Sequence, residues 1–168
     1  MRLIRVGVAM AALWLYGCGS VANQIEEKAA VLPVTIVASG TQCNLGDREL
    51  NARWVVDEGD VAQLLERMDD GGITPAALDF ARQRVLLISL GPKPTPGYGL
   101  DIAANAVIVD DTLKLEVTPT SPPPGAILVQ MLTTPCMMLA MPASGYQWLA
   151  LVEKASQETL LRLAAETY

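Results

Sequence analysis

Cys18, Cys43 and Cys136 are the three thiols of this 168-residue sequence, and they are its most reactive side chains. The sequence has no histidine. A thiol or hydroxyl here therefore has no base of the usual dyad or triad type, and the commonest metal ligand is missing. Carboxylates pair at Asp69–Asp70 and at Asp110–Asp111. Each pair reads as a turn, without the ligand spacing of a calcium loop. "GYGLD", residues 97–101, is no phosphate cradle, because no helix start follows it. What remains is disulfide formation, acyl attachment and surface contact. The sequence is read as that of a non-enzyme, with no catalytic residue, no metal site and no cofactor.

Cys18 belongs to the first of these chemistries. "MRLIRVGVAMAALWLYGCGS" begins with two arginines, continues apolar from Val6 to Tyr16 and ends in small residues, the layout of a secretory signal. "LYGC" resembles the bacterial lipobox, in which Leu15 and Gly17 precede an acylated cysteine. The resemblance implies a signal peptide over 1–17 and lipidation of Cys18. Gly19, not Asp, follows, which points to the periplasmic face of the outer membrane. Acyl chains anchor with about 0.8 kcal/mol per buried methylene. Residues 18–31 are small and polar and read as a tether. Loss of Arg2 and Arg5 with the signal leaves 10 basic against 18 acidic residues, net −8. An acidic domain of that kind repels phosphate backbones, so nucleic acid is not an expected partner.

Cys43 and Cys136 leave two readings open: a disulfide, or two separate buried thiols. An oxidising compartment favours the disulfide. It would close a loop of about 90 residues and contribute up to roughly 4 kcal/mol in the chain-entropy model.

Residues 32–168 must position these groups, and they read as one domain. "VLPVTIVAS" (31–39), "RWVV" (53–56) and "RVLLISL" (84–90) read as strands, rich in β-branched or continuous apolar residues. Val61, Leu64, Leu65 and Met68 share one face of an amphipathic helix. Asp60 is its expected N-cap, with Gln63 in a capping box and Gly71 and Gly72 at its end. "TPAALDFARQ" reads as a connection with one helical turn. "YGLDIAANAVIVDDTLKLEVTP" reads as a strand, a turn at "DD", and a strand in which Leu113, Leu115 and Val117 point one way. "ILVQMLTTPCMMLAMP" reads as two short strands broken at Thr134–Pro135. The last segment reads as a hairpin turning at "KASQE", with a strand and helix as the other choice. Together these give an α+β fold: a mostly antiparallel β-sheet, or an open β-barrel or sandwich, with one main amphipathic helix.

Two loops stand out. "GPKPTPGYGLDI" (91–102) crowds prolines and glycines between strands, and "LTTPC" follows the proline-rich "TSPPPGA". By itself the first is a rigid turn. Pro92, Pro94 and Pro96 lower the entropy of the unfolded chain, Gly97 supplies a positive φ, and Tyr98 lays its ring on the sheet. In order, Gly91, Pro94, Thr95, Gly97, Tyr98, then Thr133, Pro135 and Pro142 resemble the C-terminal domain of the protease complex subunit PrcB family. With Trp54 and the helix after it, the resemblance spans about residues 50–142. Pro96 and Cys136 depart from the family pattern. The resemblance implies a non-catalytic, surface-exposed bacterial protein with a protein partner; the family's namesake is an accessory lipoprotein that associates with a surface protease, and a protease is one candidate for the partner here. Gly91, Pro94, Thr95, Gly97, Tyr98, Thr134 and Pro135 then form the candidate partner-binding loop. "PTPGYGL" is also similar to a loop of chagasin-like cysteine-protease inhibitors, with "SGYQW" (144–148) as the second aromatic loop. That alternative makes the chain an inhibitor. A structural envelope protein is a third reading.

Overall fold

A computed structural model describes residues 29–68, 70–71 and 78–165. The signal segment 1–17, the lipidation site Cys18 and most of the tether lie outside the described residues. Eleven strands and one helix follow in order: β1 (Val31–Pro33), β2 (Thr35–Gly40), β3 (Asn51–Val55), α1 (Glu58–Leu65), β4 (Asp70–Gly71), β5 (Gln83–Ser89), β6 (Gly99–Ile102), β7 (Asn105–Val109), β8 (Thr112–Thr120), β9 (Cys136–Pro142), β10 (Trp148–Glu153) and β11 (Thr159–Ala164). The fold is mostly β, and the helix is a minor element rather than half of an α+β pair.

The strands form two sheets. One has the order β1-β7-β8-β10-β11, with β6 on the far half of β8; the other has the order β3-β5-β9-β2-β4. All pairings are antiparallel except β8 with β10. The second sheet is covered on both faces, which explains its continuous apolar runs. Leu86, Ile88, Leu139 and Met141 face the first sheet, against Leu113, Leu115, Val117, Leu149 and Leu151. Val85, Leu87, Met138 and Ala140 face the other way, onto Val61 and Leu64 of α1, Met68, Leu78 and the two cysteines. The first sheet has one packed face, so β8 keeps the expected alternation: Leu113, Leu115 and Val117 are buried and Lys114 is exposed.

The expected strand 31–39 is two strands. The chain crosses from one sheet to the other at Val34, whose N–H bonds to Ala104 O at 2.9 Å. Across the sandwich, Trp54 Nε1–H bonds to Ala164 O at 2.7 Å and ties β3 to β11. No barrel closes. The ordered sheet reaches into the segment read as tether, since Ala30 O accepts from Ile108 N–H at 2.8 Å.

Three further expectations are corrected. α1 is capped by Asp57, whose Oδ1 accepts from Asp60 N–H at 2.8 Å, so Asp60 is the third helical residue. A carboxylate at either position can cap the first turn of a helix that starts after it, and the Val61–Leu64 face fits both starts. The helix ends at Leu65, and Gly71 lies in β4, paired with Ala38 of β2. The expected strand before Thr133 is absent: residues 126–132 have no strand pairing. "YGLDIAANAVIV" is split at Ala103–Ala104 into β6 and β7. The "DD" turn holds, with Asp110 and Asp111 at φ 47° and 58°, the two positive values of a type I′ hairpin. The C-terminal hairpin also holds, as β10 and β11. Asp79 O accepts from both Arg82 and Gln83 N–H, the one helical turn before β5.

Candidate functional site

The two singled-out loops meet. Thr133 and Lys93 exchange backbone bonds, Lys93 N–H to Thr133 O at 2.7 Å and Thr133 N–H to Lys93 O at 2.9 Å. Thr133 Oγ1 donates to Thr95 O at 3.1 Å, and the residue is 1% exposed. Its neighbour faces the opposite loop. Thr134 N–H bonds to Thr41 O at 2.9 Å, and Thr134 O accepts from Cys43 N–H at 3.1 Å. Thr134 Oγ1 accepts from Asn44 N–H at 2.9 Å. Alternate residues of an extended segment point to opposite sides, so "TT" stitches residues 91–95 to residues 41–44. Pro135 adds its carbonyl, which accepts from Leu90 N–H at 2.9 Å.

A disulfide closes this clamp. Cys43 and Cys136 are bonded, with Cα atoms 6.0 Å apart and a sequence separation of 93. Both are buried in the layer between the second sheet and α1. The disulfide reading is therefore the one that holds.

Backbone fit fixes the first loop. Gly91 has φ +67°, and a Cβ there would sit 2.7 Å from the Arg48 carbonyl carbon and oxygen. Only glycine passes beneath that strand of backbone. Gly97, at φ +94°, would put a Cβ 3.1 Å from Pro122 Cγ of the proline-rich loop. Pro94 is exposed, Thr95 half-buried, and Tyr98 half-buried with Lys93 Nζ 6.0 Å above its ring. So Gly91, Thr95, Thr134 and Pro135 carry structure, Pro94 faces outward, Gly97 lies against Pro122 and Tyr98 is half-exposed at the cleft. Thr133, outside the candidate set, is the residue that joins the loops; a threonine pair before proline was its signal.

A cleft of about 350 Å³ lies against this clamp. Gly40, Leu90, Leu100, Pro135 and Cys136 are its buried lining, with Tyr98, Thr41 and Asp101 more open. β6 forms one wall. Ala103 N–H bonds to Glu116 O, and Pro119, opposite Leu100, has no N–H to give. Gly99, Asp101 and Ala103 therefore turn their peptide groups to β8, and Leu100 and Ile102 turn theirs away. Among the described residues no strand pairs with that edge of β6. Exposed apolar side chains are concentrated between the proline loop and Thr133. A turn from Pro123 to Ala126, with Gly125 at φ +80°, leads into them. Ile127 is fully exposed, Val129 is 72% exposed and Leu132 is 64% exposed.

Residues 84–142 match the family model described as PrcB C-terminal. The resemblance read from the loop order is thus shown for the segment that runs from β5 through β9. The PrcB C-terminal match includes the Gly91–Tyr98 loop, the β7–β8 hairpin, the proline loop and the Thr133–Cys136 clamp. It leaves out β3 and α1, which the sequence resemblance had included from residue 50. No curated protein and no solved structure matches the chain. The inhibitor-like pairing of loops is not formed. Tyr146 of "SGYQW" is 7% exposed and packs on Arg84, at the start of β5, whereas the PrcB-type loop leaves the end of β5. The two cannot make one protruding edge.

Proposed function

We propose that this chain is a non-catalytic, lipid-anchored envelope protein that binds a protease as an accessory module. Its partner surface is the rim around the clamp: Pro94, Gly97 and Tyr98 of the first loop and the exposed apolar residues Ile127, Val129 and Leu132. The reading rests most on that apolar segment. Four large exposed apolar side chains in one six-residue segment, Ile127, Val129, Met131 and Leu132, are costly in a monomer and mark a contact surface. The PrcB C-terminal match supports a protease as the class of partner. Cys18 tethers the domain at the periplasmic face of the outer membrane, and the disulfide suits that oxidising compartment.

The clamp fixes the first loop and the end of the apolar segment at Thr133, which lowers the entropy lost on binding there. The test is affinity capture from detergent-solubilised envelope, with the captured proteins identified by mass spectrometry. The native chain should retain a protease, and Ile127→Asp with Val129→Asp should release it without lowering the unfolding midpoint. Capture of no protease, or equal capture by the double variant, would contradict the reading.

A further inference from the structure

β6 and β7 run along the same side of β8, and from Leu100 to Ile108 their even-numbered residues turn their peptide groups to the opposite edge. β1 covers part of that edge. Ile108 N–H bonds to Ala30 O at 2.8 Å, and Ala104 O accepts from Val34 N–H at 2.9 Å. At Val34 the chain leaves for the other sheet, where β2 pairs with β9. Leu100 and Ile102 continue the row past that point. Among the described residues no hydrogen bond reaches the N–H or C=O of either. They present two donors and two acceptors along about 7 Å of edge. Beside them lies the cleft of about 350 Å³, with Ser39, Gly40, Cys136 and Met137 of the second sheet on its other side. Leu100 and Ile102 turn their side chains inward, and Asp101 between them is exposed. Among the described residues that line the cleft, Asp101 alone is charged.

We propose that the edge of β6 takes up an extended, basic segment of a partner protein as an added strand. Such a strand draws its affinity from the main chain and its selectivity from alternate side chains. Its direction is that of β1, antiparallel to the chain it pairs with. Residues opposite Leu100 and Ile102 then exchange both backbone bonds with them, four in all. Their side chains point inward, toward Leu90 and Met137 of the cleft, and are apolar. The residue between them stands across from Asp101, where an opposite charge stabilises and a like charge opposes. The chain's net charge of −6 steers a basic segment to the same place. A second copy of this chain fits that requirement poorly. Pairing β6 with β6 through Leu100 and Ile102 sets Asp101 against Asp101, and a charge in mid-edge is a common guard against such pairing. The edge shares Tyr98 with the rim proposed above but is a separate backbone site, open to a strand from any class of protein.

The test is a titration of the ¹⁵N-labelled full chain, in detergent micelles, with the blocked pentapeptide Thr-Val-Lys-Val-Thr, read at the amide resonances of Leu100 and Ile102. A saturable shift centred on these two amides supports the site. Methylating the backbone nitrogens of both valines, which face β6, should abolish it. Methylating that of the lysine, which faces away, should leave it. Glutamate in place of the lysine should weaken binding several-fold, and Asp101→Lys should reverse that order. No saturable shift with the lysine peptide overturns the proposal, as does equal binding by the valine-methylated peptide. Equal binding of the lysine and glutamate peptides would contradict the basic segment. Shifts at Leu100 and Ile102 that follow the concentration of the chain without peptide would give the edge to a second copy and overturn the proposal likewise.

Discussion

Lys93 and Thr133, far apart in sequence, hold each other by two backbone hydrogen bonds at 2.7 and 2.9 Å. Thr133 then turns its hydroxyl to Thr95 O. This link makes two loops into one body, and it sets what the nearby cleft and apolar segment can do.

Removal of the Thr133 hydroxyl should loosen that body. Thr133→Val keeps the shape and deletes the bond to Thr95. The partly buried Thr95 carbonyl loses that partner, which should cost about 1 kcal/mol. Urea denaturation measures it, and an unchanged midpoint would show that the bond carries no weight.

Gly91 and Gly46 offer a matched comparison. Both have positive φ, +67° and +84°, but a Cβ at Gly46 meets nothing within 4 Å. Gly46→Ala should cost about 1 kcal/mol, from backbone conformation alone. Gly91→Ala adds a clash with the Arg48 backbone and should cost at least about 3 kcal/mol or prevent folding. Equal losses at the two positions would remove the close-approach explanation.

The disulfide should be a structural one. Its two sulfurs are buried beside Val85 and Met138, in the same core layer as α1. Replacing both Cys43 and Cys136 by alanine should cost about 2–5 kcal/mol. The same loss should appear in the native chain unfolded under reductant. A midpoint unmoved by reductant would show that the bond does not form in solution.

Tyr146 gives a signature at high pH. Burial raises its pKa above 10.0, with Arg84 opposing in part. The neutral form is favoured in the folded state, so its contribution is fully present below about pH 10, where the unfolded chain's tyrosine is still protonated. Above that, the unfolded chain releases the proton first, and stability falls as pH rises. Tyr146→Phe should flatten that fall relative to the native chain. Parallel curves for the two proteins between pH 9 and 11.5 would contradict it.

How far these residues could be read in advance depends on what each signal constrains. The continuous apolar run of β5 and the alternation of β8 report one and two covered faces directly, and both were legible. "DD" between alternating strands was legible as a hairpin turn because both residues tolerate positive φ. The start of α1 was not, because Asp57 and Asp60 are both competent caps and the apolar face fits a helix begun at either. "ILVQML" has strand composition, yet composition cannot supply a neighbour, and the bonds on either side of Thr133 and Thr134 are already committed to other loops. Val31–Ser39 was legible as extended chain, but not its passage between sheets at Val34, since both halves keep the same backbone. Arg84 sat unremarked inside "QRVLL", because only the assembled sandwich brings Trp54 and Tyr146 to its sides.

The most direct measurement is site-specific photocrosslinking from Val129. A photoreactive residue there, in the full lipidated chain within intact envelopes, should give one dominant adduct to a protease. The same residue placed at Lys114, on the outer face of β8, should give none. Absence of a protease adduct at Val129, or the same adducts from both positions, would contradict the proposed accessory role.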